Sequence, residues 1–223
     1  MIQLKDVMEN EKIKMLIDSA NKSLEIIGYT EHGRRHVSYV SRTAKNILAE
    51  LGYDKRMQEL AAITGYVHDV GNFINRHGHG IIGAQLLMPV LSEMNMRYDE
   101  ILVICGAVGN HEEQNGTPIS AVSAALIIAD KSDAHRTRVR KNKPYDPQDI
   151  HDRVNYSIKK NMVVVDKDKR IISFRIIMDT SLSSVMDFFQ IYLSRMVLSE
   201  QAANFLNCRF ELVINDTVLN RPV

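Results

Sequence analysis

The stretch Tyr66-Val67-His68-Asp69-Val70-Gly71-Asn72 sets a histidine beside an aspartate where a helical pattern gives way to breaker residues. Upstream, Asp54 is a good N-cap, and Met57, Leu60, Ala61, Thr64 and His68 follow on one side of a predicted helix. Gly71 and Asn72 end that helix near Asp69. The pair therefore closes a helix, with its imidazole on the apolar face. Further imidazoles and carboxylates stand at separated points around it, at His36, His79, His111 and Asp130.

Working outward, the pattern stays helical. Ile13, Ile17 and Leu24 recur at helical spacing in an amphipathic segment from Val7 to Ile27, and Gly28 is its stop. After a connector, Tyr29 to Arg35, a helix opened by His36 carries Val37, Val40, Ala44, Ile47, Leu48 and Leu51 on one face, with Gly52 at its C-cap. Beyond a loop at residues 72–78, a helix from about Gly80 carries Ile81, Ala84, Leu87 and Met88 and is expected to be interrupted by Pro89. The next, from about Asp99, aligns Ile101, Ile104, Cys105 and Val108, a face that His111 extends. Past Gly116-Thr117-Pro118, a last helix places Val122, Leu126 and Asp130 at four-residue steps.

The character changes after about residue 140. Lys141–Gln148 is polar, holds two prolines and reads as a linker. Met162–Val165 and Ile171–Met178 are β-rich runs separated by Asp166–Lys169, a predicted hairpin. Leu182, Val185, Met186, Phe189, Tyr192, Leu193 and Met196 make an amphipathic helix, read as core against the sheet, with a homodimer contact as the other reading. Phe210–Ile214 is the last strand. The fold class expected is mainly α, with a helical bundle over residues 1–145 and a small α+β unit, strand-strand-helix-strand, of unassigned role over residues 146–223.

Composition narrows the function classes. The formal net charge of the 223 residues is +1, so the overall balance points to neither nucleic acid nor an anionic membrane. Cys105 and Cys208 are too far apart in sequence to form a disulfide framework, which fits a reducing compartment. No apolar run approaches the roughly 20 residues of a membrane helix, and Met1–Asn10 lacks the apolar core of a signal peptide. The expectation is a soluble, cytoplasmic protein.

A His-Asp dipeptide alone says little, and His151-Asp152 makes the point, having the same two residues in polar sequence without partner histidines. Around His68-Asp69 the context differs, because five of the eight histidines fall between His36 and His111. Asp130 sits on an inward stripe, where a carboxylate is costly unless paired or metal-bound. Imidazole nitrogen with carboxylate oxygen suits iron, manganese, nickel or zinc, with magnesium also possible, and the lack of thiolates argues against a structural zinc site. An aspartate has two oxygens, so Asp69 can bridge two ions. Two metals about 3.5–4 Å apart would hold a hydroxide and clamp the oxygens of an in-line phosphoryl displacement.

In this order, His36, His68-Asp69, His79, His111 and Asp130 resemble the signature of the HD superfamily of metal-dependent phosphohydrolases. The neighbouring segments Glu31-His32-Gly33-Arg34-Arg35-His36-Val37 and Ile127-Ile128-Ala129-Asp130-Lys131-Ser132-Asp133 extend the resemblance over roughly residues 25–140. It implies an HD-type helical bundle with His36, His68, Asp69 and Asp130 as core metal ligands. His79 and His111 would complete a second metal position, as in the binuclear branches that include diadenosine polyphosphate hydrolases and cyclic-dinucleotide phosphodiesterases. Catalytic roles are expected for His68, Asp69, Lys131 and Asp133, the last orienting a ligand histidine. Asn72 departs from the family pattern, since many members have there a lysine that meets phosphate.

Substrate contacts are expected from Arg34, Asn72 and Arg138. Arg138 belongs to the basic run His135–Lys143, whose other reading is a solvated helix tail. No aromatics interleave that run to stack bases. His32 and His77 stand in loops, where a hydrogen bond competes with a substrate or metal contact. The expected activity is hydrolysis of a nucleotide or other small phosphate ester by metal-bound hydroxide. The alternative is a regulatory module that binds a nucleotide with little or no turnover.

Overall fold

Capping residues, more than the apolar repeat, decide where the helices start and stop in the computed structural model, which describes residues 1–140 and 145–220. The first amphipathic segment is two helices, α1 (Leu4–Glu9) and α2 (Glu11–Ile26). A single helix was expected there, but Asn10 takes an extended conformation and its side chain accepts the Ile13 amide, starting a new helix. α3 (Arg34–Glu50) and α4 (Lys55–Val67) follow, α4 opening on Asp54, which accepts the amides of Arg56 and Met57. His68 is the C-cap of α4, and a short 3-10 turn, Val70–Phe73, comes next.

α5 (His79–Glu93) runs through Pro89 without interruption. The proline removes one backbone hydrogen bond, and burial of Leu87, Val90 and Leu91 around it holds the helix together. The inward face is also not quite the expected one, because Ile81 is 56% exposed. Gly80 and Gly83 lie inward instead, against Val108 of α6 (Tyr98–Gly109), so two helices approach where a larger residue would not fit. α7 (Ala121–Lys131) starts at Ser120, which caps the Ser123 amide, and is buried nearly all round.

The 141–144 part of the expected linker lies outside the described residues. The remainder leads into a helix that sequence reading did not foresee, α8 (Ile150–Ser157), short, mostly polar and capped by Asp149. β1 (Ile158–Asp166) and β2 (Ile171–Met178) form the expected antiparallel hairpin, paired from Ile158↔Met178 to Asp166↔Ile171. α9 (Val185–Phe205), opened by a Ser184/Asp187 capping box, crosses over to β3 (Arg209–Ile214), which lies parallel to β2. A two-residue β4 (Thr217–Val218) completes the sheet order β1-β2-β3-β4. The strand-strand-helix-strand order thus stands, flanked by α8 and β4. Along α9 the buried face is Phe188, Tyr192 and Met196, whereas Met186 and Leu193 of the expected stripe face solvent.

α9 packs on α7 and β1 on α3, so buried apolar residues of the helical and the α+β parts form one continuous cluster. No helix among the described residues is long and apolar enough to cross a membrane. The chain has almost no slack where the site-bearing loop meets α5. A Cβ on Gly71 would lie 1.9 Å from the His79 carbonyl oxygen and 2.6 Å from the Gly83 amide nitrogen. Gly71→Ala is therefore expected to destabilise the protein by about 1–3 kcal/mol, the usual cost of overpacking. Urea unfolding measures this, and an unchanged midpoint would show that the backbone contact is dispensable.

Candidate metal centre

The helix ends bring six side chains to one point. His36 lies in the first turn of α3, His68 caps α4 and is followed by Asp69, and His79 opens α5. His111 follows the end of α6, and Asp130 lies in the last turn of α7. All four histidines and Asp69 are buried, and the side chain of Asp130 is 13% exposed.

What these rings present to one another is set by their other nitrogens. The Nδ1–H of His68 donates to the Gly65 carbonyl at 2.9 Å, that of His79 to Arg76 at 2.9 Å, and that of His111 to Val108 at 2.6 Å. A carbonyl only accepts, so each of these nitrogens carries the proton. His36 Nδ1 lies 2.6 Å from Asp133 Oδ2, a partner that fixes the same tautomer. In the neutral rings all four Nε2 atoms are thereby lone pairs directed at a common interior. His36 Nε2 is 3.3 Å from His68 Nε2 and from Asp130 Oδ1, and His79 Nε2 is 3.0 Å from His111 Nε2.

Asp69 stands between these two pairs. Its Oδ2 is 3.6 Å from His36 Nε2 and 3.5 Å from His68 Nε2, while its Oδ1 is 3.2 Å from His79 Nε2 and 3.8 Å from His111 Nε2. Oδ2 is buried and has no hydrogen-bond partner among the described residues. Leaving such a group unpaired costs about 1–3 kcal/mol, and more for a charge. Burial alone would raise the Asp69 carboxyl, but facing His68, His111 and His79 holds it well below the usual carboxylate range. Burial acts the same way on Asp130, and Lys131, His36 and His68 hold it ionised. Lone pairs and carboxylate oxygens therefore face one another at ligand spacing, an arrangement a divalent cation satisfies. Among the described residues, two groups meet the geometric requirement of a metal site, His36-His68-Asp130 and His68-Asp69-His111.

A further layer of contacts fixes these groups. Asp133 receives a bidentate fork from Arg35, at 3.0 and 2.7 Å, and a contact from Arg138 at 3.2 Å. Lys131 Nζ lies 2.6 Å from Asp130 Oδ2 and 3.4 Å from Glu113 Oε1, which also accepts Arg195 Nε at 2.8 Å. Asn72 was expected at the substrate. Its amide instead donates to Asp69, to Oδ1 at 2.9 Å and to the carbonyl at 3.0 Å. Arg34 is not brought to the cluster, because its guanidinium is exposed and pairs with Asp18 at 2.7 Å. Arg138 is no part of a solvated tail. It is buried, and it also donates to His32 Nε2 at 2.7 Å. His32 in turn donates from Nδ1 to the Thr30 carbonyl, which commits both its ring nitrogens, and His77 is an exposed loop residue.

Glu112, Glu113, Arg76 and Arg195 escaped sequence reading. The glutamates follow His111 directly, and that adjacency was the available signal. Glu112 accepts the Gly80 amide at 2.6 Å and lies 3.3 Å from His79 Nδ1. Arg195, on an amphipathic helix far along the chain, gave none. It borders a cavity of about 20 Å³ over the metal-binding groups, whose walls His32, Arg76, Glu113, Arg138 and Arg195 are shared with a chamber of about 380 Å³. α8 and α9 wall that chamber, with His151 and Asp152 among its lining residues and away from the metal-binding groups.

Residues 34–135, which contain all six of these side chains, match the family model of the HD domain. No curated protein matches the chain.

Burial pushes the His79 imidazole down, but Asp69 and Glu112 raise it to about 9, whereas burial pushes His111 down to about 4. Without metal, His79 thus carries a proton at neutral pH. The stability it contributes is fully present below its ordinary value of 6.5 and lost as pH rises through about 9. A metal needs the neutral rings, so metal uptake at about pH 7.5 is expected to release at least the proton of His79, His36 being raised as well. Calorimetry in buffers of different ionisation enthalpy counts it, and uptake with no proton release would contradict this assignment.

Proposed function

We propose, from the premise that residues 34–135 are an HD domain of the superfamily of metal-dependent phosphohydrolases, that the chain hydrolyses a nucleotide or other small phosphate ester at a two-metal site. One observation carries the two-metal reading. Asp69 offers one oxygen to His36 and His68 and the other to His79 and His111, while every Nδ1 is tied elsewhere. On this reading His36, His68, Asp130 and Asp69 Oδ2 hold one ion, and His79, His111 and Asp69 Oδ1 hold the second.

Divalent ions there would supply Lewis acidity to phosphoryl oxygens and lower the pKa of a water towards about 7. Iron, manganese, nickel and zinc suit the donor set, and magnesium suits its carboxylates. The chain's own residues do the positioning. Asn72 holds the plane of the Asp69 carboxylate, and Asp133 fixes the His36 ring. Lys131, buried beside Asp130, supplies a cation at the rim of the inner cavity, where the charge of a phosphoryl group would lie. Arg138 contributes positive charge from the shared wall.

The second reading is a module that binds a nucleotide with little or no turnover. It is favoured by one observation, that the amide of Asn72 is spent on Asp69 and leaves no phosphate-facing cation at that position. A panel of phosphomonoesters, phosphodiesters and nucleotides, run against manganese, iron, nickel, zinc and magnesium, separates the two. Turnover supports the enzyme, and tight binding with no turnover under any metal supports the module. Within the enzyme reading, Asp69→Ala is expected to abolish turnover and to lower metal content as measured by mass spectrometry. Asp133→Asn is expected to lower metal affinity or activity by about 10–100-fold, the usual cost of losing the partner of a ligand histidine. Full metal content and full activity in Asp69→Ala would sink the bridging role.

A further inference from the structure

We propose that Arg195, on α9 and outside the HD match, binds the substrate phosphate, so that the α+β part completes the catalytic site. The inference rests on the phosphohydrolase reading above and adds a residue and an element to it. Four cations border the inner cavity, Arg76, Lys131, Arg138 and Arg195. Two of them, Lys131 and Arg138, are each held by more than one group of the fold, and Arg76 commits one terminal nitrogen. Lys131 Nζ is shared between Asp130 and Glu113. Arg138 directs one terminal nitrogen to Asp133 and the other to His32 and Thr30. Arg76 directs Nη1 to Asn72 at 3.2 Å and lies 3.4 Å from His79 Nε2.

Of the three arginines, Arg195 keeps both terminal nitrogens uncommitted among the described residues. Its Nε donates to Glu113, its guanidinium carbon lies 4.7 Å from the centre of the Tyr192 ring, and its terminal nitrogens make no hydrogen bond to the described residues. The guanidinium is therefore held at its base and free at its fork, the geometry that meets two phosphate oxygens at once. The cavity it borders is also lined by Asp69, His79 and Asp130, which puts the fork beside the metal-binding groups. On its other side opens the 380 Å³ chamber, within the range of about 300–1,000 Å³ usual for small-molecule sites. A phosphate at the inner end would leave its organic group in that chamber, against α8 and α9.

The test compares wild type, Arg195→Ala, Arg195→Lys and Arg195→Met, the last keeping an apolar stem over Tyr192. Each full-length protein is loaded with manganese, its metal content is measured, and inorganic phosphate is titrated in by calorimetry. The expected result is unchanged manganese content, phosphate binding weakened at least tenfold in the Ala and Met variants, and a smaller loss in Lys. Millimolar guanidinium should restore binding to Arg195→Ala. Failure of wild type to take up manganese would overturn the metal-site reading itself. Normal manganese uptake would overturn the role of Arg195 alone if phosphate binding were absent in wild type or unchanged in the folded variants. Loss of metal together with phosphate in both Ala and Met would do the same, since it would mark a structural residue.

Discussion

The site depends on hydrogen bonds made by the nitrogens that face away from it. A neutral imidazole has one N–H and one lone pair, and the partner of the first decides where the second points. For His68, His79 and His111 the partner is a backbone carbonyl three residues earlier, in Gly65, Arg76 and Val108. Two of these carbonyls belong to the helix endings of α4 and α6, where the last turn leaves C=O groups without intrahelical partners. For His68 and His111, helix termination and ring orientation are thus one arrangement, which explains why these two sit where helices end.

His79 opens α5 and takes its carbonyl from the loop before it, whereas His36, in the first turn of α3, has an aspartate as its Nδ1 partner. Asp133 takes over that task, and its own charge is balanced by Arg35 and Arg138. Burial raises the Asp133 carboxyl, but Arg138, His36 and Arg35 together hold it far below the usual range. A buried carboxylate with three cationic or donating neighbours is well compensated, whereas one stripped of them would cost several kcal/mol, about 3–5 for a broken buried pair. The same group ties the start of α3 to the segment after α7. The connector Tyr29–Arg35 and the residues Arg138 and Arg140 of the basic run are therefore structural neighbours.

The convergence of the four histidines and two aspartates of the candidate centre was legible because apolar periodicity and caps fix helix ends, and the six residues stand at or beside helix ends. Asp54, Gly52 and the Asp166–Lys169 turn acted through local chemistry and read correctly for that reason. Where local rules failed, tertiary packing had overridden them. Pro89 stays within α5 because neighbouring side chains are buried, and Ile81 faces out because two glycines face in. Asn10 split a helix because a single side-chain bond to Ile13 outweighs an unbroken apolar repeat. Arg195 could not be read at all, since its contact with Glu113 joins residues 82 positions apart and no local pattern encodes it.

The packing of α9 on α7 has a consequence for the order in which the molecule becomes competent. During synthesis from the N-terminus, all six side chains of the candidate centre leave the ribosome well before Val185, the first residue of α9. Until then α7, which is buried nearly all round in the finished fold, has an apolar flank with nothing on it. The nascent bundle can thus gather its imidazoles and carboxylates while the adjoining chamber has no outer wall. Docking of α9 then covers the α7 flank and closes the chamber in one event. The α+β part acts late, like a keystone, and hydrophobic burial couples its arrival to the site.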